Sequence, residues 1–209
     1  MIIVSVILAA IAAAAVGGAM ALADKLGFYL IIVFPIIGGT IIGFAAALPF
    51  LGRKSASAQP SNLGGGLADV VVRDNRPSAL PLIVVAILGA LIATAVYWAG
   101  QYLTYKEELV SIIQEEQTTV TRDEALEFIS MFEQETYGTT GFPAFVQLYA
   151  EEGMSINRVT SSSDSGLLLQ GGLAYAFWGV EFVMIAGFAI GAALRNARGK
   201  TAPQVATAS

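Results

Sequence analysis

Apolar residues fill four stretches of this chain almost without interruption: Ile2 to Ala23, Phe28 to Leu51, Ala79 to Tyr105 and Leu167 to Leu194. A bilayer-spanning helix needs about 20 predominantly apolar residues, so each stretch is long enough to be one span. Only Asp24 to Gly27 separates the first two, which predicts a tight transmembrane hairpin over 1–51. Residues 52–78 are polar and dense in Ser, Gly and Pro, the composition of an irregular loop. Gly64-Gly65-Gly66 in that loop is no phosphate-binding motif, because no Gly-Lys-Ser/Thr follows it.

Residues 106–166 are the one sizeable aqueous segment. Thr121 and Glu124 have capping-box spacing, and Ala125, Phe128, Ile129 and Phe132 recur at i, i+3, i+4, i+7, which predicts an amphipathic helix over Arg122 to Glu135. Leu109, Ile112 and Ile113 carry a helical period on from the third span. Gly138 and Gly141 then break the chain; a second short helix starts near Pro143 and stops at Gly153. Phe142, Phe145, Val146 and Tyr149 share one face of it, a possible interface with the membrane surface, the preceding helix or a partner. Val159 to Gly166 reads as a loop, and 195–209 as a polar, disordered tail. The pattern predicts an all-α membrane protein: four transmembrane helices, with a small helical domain between the third and fourth.

The first span has a second reading. Ala21-Leu22-Ala23 ahead of Asp24 fits a signal-peptidase site, but no basic residue precedes the apolar run, and a retained helix is expected. In the second span Pro35 and Gly38-Gly39 permit either close packing or a broken helix. Gly39 with Gly43, and Gly187 with Gly191, have the spacing of helix contacts.

Composition sharpens the class. Hydrophobic residues make up 56% of the chain and charged ones 13%, with mean hydropathy +0.69. There is no Cys and no His, which excludes disulfides, thiolate nucleophiles, a His base and Cys/His zinc sites. Any metal would need oxygen ligands, yet no calcium-loop motif is present, so neither a metal nor a cofactor is expected. No G-x-S-x-G or other catalytic constellation occurs, and an enzyme is not expected. Basic residues are few and net charge is −5, which argues against nucleic acid.

Charge placement predicts orientation. Arg53, Lys54, Arg73, Arg76, Arg195, Arg198 and Lys200 fall on one side, against Lys25, Lys106, Arg122 and Arg158 on the other. The positive-inside rule puts both termini and 52–78 in the cytoplasm and 106–166 outside, as expected in a bacterial inner membrane. Thirteen of the 16 acids lie in the outer segments, so the outer domain is acidic. That charge either keeps a small domain solvated or offers a docking surface for a basic partner.

Glu181 is the charge-bearing residue within the fourth span, and a carboxyl at that depth is costly enough to be a functional candidate by default. With Thr40 and Thr94 it can form a mid-membrane polar cluster. The low-dielectric surroundings favour a neutral Glu181 that donates a hydrogen bond to one of these threonines or to a backbone carbonyl. It either ties helices together or handles protons or cations.

From Gly141 the chain reads G-F-x-x-F-x-x-L-x-A-x-x-G-x-x-I, followed by a terminal span carrying Trp178 and Glu181. Over roughly residues 138–194 it resembles a group of uncharacterised bacterial multi-pass membrane proteins. The resemblance implies a shared topology and no activity. The four-span layout is also similar to that of tetraspanins, but their cysteine motif is absent. Without a catalytic constellation, the expected function is a structural, accessory or assembly subunit. It would sit in the bilayer with other membrane subunits or with copies of itself. The alternative is an oligomeric transporter or channel component built on Glu181.

Overall fold

The computed structural model describes residues 1–26, 32–51, 78–152, 154–156 and 167–197. The readings made for 52–77, Gly153, Val159 to Gly166 and 198–209 lie outside these residues. The elements are α1 (Ile2–Lys25), α2 (Val33–Ala47, extended by a 3₁₀ turn at Leu48–Phe50), α3 (Ala79–Glu116), α4 (Arg122–Tyr137), α5 (Phe142–Glu152), β1 (Met154–Ile156), β2 (Leu167–Leu169) and α6 (Gly172–Ala197). Four helical stretches, Ile2–Lys25, Val33–Phe50, Ala79–Glu116 and Gly172–Ala197, are long and apolar enough to cross a membrane. The fold is therefore that of an all-α, four-span membrane protein.

The four long helices close into a bundle: α1 packs on α3 and α2, α6 on α2 and α3. Lipid tails are as apolar as leucine, so helices associate in a bilayer through close packing rather than burial from water. The sequence supplies the small residues this needs. Ala13, Ala86, Ala90, Ala93, Ala186 and Ala189 are buried in one cluster with Val16, Met20, Ile42 and Ile185. A Cβ on Gly43 would fall on the Ala189 carbonyl, and one on Gly39 would come within 2.5 Å of the Ile185 carbonyl. Near the opposite end of the bundle from Asp24, the Ser5 hydroxyl donates to the Ala46 carbonyl and joins α1 to α2.

One boundary differs from the sequence reading, and two points that reading left open are resolved. Pro35 falls in the first turn of α2, where proline is tolerated, and the helix runs unbroken through Gly38 and Gly39. As the period of Leu109, Ile112 and Ile113 predicts, α3 runs on past Tyr105 as one 38-residue helix to Glu116, since Lys106–Glu116 contains helix formers and neither Gly nor Pro. The last helix does not begin at Leu167. Leu167–Leu169 pairs antiparallel with Met154–Ile156, Gly171 turns the chain at φ 56°, and α6 starts at Gly172.

Beyond the bundle, α4 and α5 fold against the upper part of α3. Thr121 and Glu124 form the expected capping box: the Thr121 N–H donates to Glu124 Oε2 at 2.8 Å, and the Glu124 N–H donates to Thr121 Oγ1. The Thr121 backbone N–H, and then the Thr121 hydroxyl, which donates to the same oxygen at 2.8 Å, hold the Glu124 carboxyl below its usual range. Gly138 ends α4 in the left-handed conformation at φ 67°. Ala125 and Ile129 pack against Val110 of α3.

Candidate functional site

One group of polar side chains gathers at the end of the bundle where α1 finishes. Asp24, in its last turn, accepts hydrogen bonds from the Tyr97 hydroxyl at 3.3 Å and from Gln101 Nε2, both on α3. Tyr97 and Gln101 are four residues apart and so lie on one helix face. Glu181 on α6 and Tyr149 on α5 are within electrostatic reach of Asp24. Sequence reasoning singled out Glu181 but missed Asp24 and Gln101. The readable signal was an acid in the last turn of a helix that carries no charge before it.

Glu181 is buried, 7% exposed. Among the described residues, Glu181 Oε1, Trp178 Nε1 and Thr94 Oγ1 are buried without a hydrogen-bond partner. The expected bond between Glu181 and a threonine is therefore not made through Oε1. Thr94 lies one helical turn before Trp98, whose ring meets Trp178 edge-on at 4.6 Å, so Thr94 and the Trp178–Glu181 turn share one region. Thr40 does not join them. Its hydroxyl donates to Ile36 of its own helix at 2.7 Å, and it lines a groove on the outside of the bundle.

The α5 face that the sequence marked is taken up inside the chain. Phe145 is 2% exposed and packs on Trp98, Tyr102 and Tyr105 of α3, with ring centroids 6.1, 5.7 and 5.2 Å away. Tyr149 meets both Trp98 and Trp178. Burial, and then the charge of Asp24, push its hydroxyl up to about 12. Val146 is half-buried and Phe142 stays exposed at the edge beside Tyr102. Trp98, Tyr102 and Tyr105 of α3 thus serve as the seat of α5.

The two glycine pairs part company. Gly39 and Gly43 are pressed on the α6 backbone, whereas a Cβ on Gly187 or Gly191 would meet nothing within 4 Å among the described residues. The amphipathic stripe of α4 divides in the same way. Ala125 and Ile129 are buried, but Phe128, Met131 and Phe132 are 49%, 53% and 54% exposed. A groove of about 250 Å³ runs beside them, lined by Gln117, Val120, Glu124, Glu127, Phe128 and Met131. Among the described residues no three His, Cys, Asp or Glu side chains gather to hold a metal ion.

These features define a class: a four-span helical membrane protein whose third long helix runs on beyond the bundle and carries α4 and α5. No protein-family model, no curated protein and no solved structure matches the chain.

Proposed function

We propose that this protein is an accessory or assembly subunit of a larger membrane complex and that α4 is the surface its partner binds. One observation carries the reading: Phe128, Met131 and Phe132 stand exposed side by side on a capped helix whose other face is already packed. Clustered large apolar side chains on an ordered surface mark an interaction site. Asp123, Glu124, Glu127 and Glu135 on the same helix give it negative charge, so the complementary partner is apolar with a basic rim. The balance of Lys and Arg supports a position for this surface outside the cytoplasm, in a bacterial inner membrane.

The test is site-specific photo-crosslinking in native membranes, with a photoreactive residue at Phe128 and a control at Gln147 on α5. A single stoichiometric adduct at Phe128 that disappears in Phe132→Glu supports the subunit reading. A protein that forms no adduct and transports a solute alone in liposomes overturns it.

A second reading, proton or cation handling at Glu181, is favoured by the three unpaired buried atoms of Glu181, Trp178 and Thr94. It requires that Glu181→Gln abolish flux in liposomes while leaving the purified protein folded. Unchanged flux removes it.

A further inference from the structure

A groove of about 630 Å³ runs down the outside of the bundle between α2 and α6, within the size range of small-molecule sites. Ile36, Met184, Phe188 and Ala192 form its apolar wall, and Gly187 and Gly191 form a floor without side chains. Thr40 adds no polar demand, because its hydroxyl is spent on Ile36 of its own helix. The single cation in the lining is Arg195, at the far end. It is exposed and makes no ion pair among the described residues.

We propose that this groove seats an acyl chain of an anionic phospholipid, with the lipid phosphate on Arg195. Length is the first argument. From Met184 to Arg195 the helix rises eleven steps, about 16 Å at 1.5 Å per residue. That is close to half of the roughly 30 Å hydrocarbon core, the depth of one leaflet. The groove is apolar over that depth and meets a charge where headgroups begin. The guanidinium is the side chain whose geometry best matches a phosphate, and among the described residues no acid pairs with Arg195.

Charge also decides against the other natural occupant, a second copy of α6. A parallel pair meeting at Gly187 and Gly191 would bring the two Arg195 side chains together one turn further on, with no acid in the groove lining to offset them. A lipid brings the missing negative charge. This site lies apart from α4 and does not depend on the subunit reading.

The experiment is thermal unfolding of the purified, delipidated protein with added phosphatidylglycerol or phosphatidylcholine, together with native mass spectrometry of retained lipid. Wild type is expected to retain phosphatidylglycerol and to prefer it by about fivefold, the worth of one cation at a membrane surface. Gly191→Leu fills open space, so it is expected to fold as wild type does while losing the retained lipid. Arg195→Gln is expected to bind both lipids equally, and Arg195→Lys to keep most of the preference. Lipid retention unchanged in Gly191→Leu, or no preference in wild type, overturns the proposal. So does a wild-type dimer that Gly191→Leu converts to a monomer without altering lipid retention.

Discussion

Lys106 on α3 lies 3.6 Å from Glu133 on α4, and the Glu133 carboxyl is 1% exposed. Its second oxygen accepts the Gly141 N–H at 2.7 Å, so one side chain ties α3, α4 and the turn into α5. Removing one member of a buried pair leaves the other uncompensated, at a cost of about 3 kcal/mol. Glu133→Ala is expected to release the cap from α3. Amide exchange should quicken through α4 and α5 and stay slow in the four spans. Equal protection of α4 in variant and wild type would show that the pair is incidental.

Gly43 and Gly18 predict opposite outcomes from the same substitution. A methyl on Gly43 collides with the Ala189 carbonyl, while one on Gly18 meets nothing within 4 Å among the described residues. Gly43→Ala is expected to cost about 1–3 kcal/mol through overpacking. Gly18→Ala is expected to be neutral or to stabilise by up to about 1 kcal/mol through helix propensity. Denaturation in mild detergent measures both, and equal effects would refute the close α2–α6 approach.

The aromatic seat is testable at Phe145 and Trp178. Phe145→Ala empties a site bounded by Trp98, Tyr102, Tyr105 and Tyr149, and is expected to cost about 3–5 kcal/mol. Trp178→Phe keeps an aromatic ring against Trp98 and discards an indole N–H that has no partner, so it is expected to be near neutral. A large loss in Trp178→Phe would mean that this N–H is engaged in the membrane-embedded protein. Thermal unfolding reads out both variants.

The capping box gives a pH dependence with a definite sign. The Glu124 carboxyl is held below its ordinary value of 4.5 by the Thr121 backbone N–H and hydroxyl. Its contribution to α4 is therefore complete above 4.5 and lost as pH falls through the lower folded value. Hydrogen exchange of α4 amides between pH 6 and pH 3 (roughly, spanning the carboxyl range) should show this loss. Glu124→Gln should flatten it. A profile identical in the two proteins would place the acid sensitivity elsewhere.

The four spans and the capping box were legible because each rests on local rules: length, hydropathy, and a Thr and Glu three residues apart. Leu167–Leu169 was misplaced because three leucines beside an apolar helix carry no sign of strand pairing until Met154–Ile156 is brought opposite them. Phe128 and Ile129 share the periodic stripe of α4 yet end exposed and buried, since α3 covers only part of that stripe. Gly39–Gly43 and Gly187–Gly191 have identical spacing, and only the packing of α2 on α6 determines which pair is in contact. The site was half legible. A carboxyl within a span announces itself, but the joining of Asp24 to Tyr97 and Gln101 requires α1 and α3 to end side by side.

At 38 residues α3 is about 57 Å long, nearly twice the hydrocarbon thickness of a bilayer. Gly100 is its last glycine, and within α3 no proline follows Pro81, so its far end has no built-in hinge. The helix acts as a lever with its fulcrum in the bundle. A small change in its tilt, whether from bilayer thickness or from a neighbour pressing on α1, becomes a larger displacement of α4 at its tip.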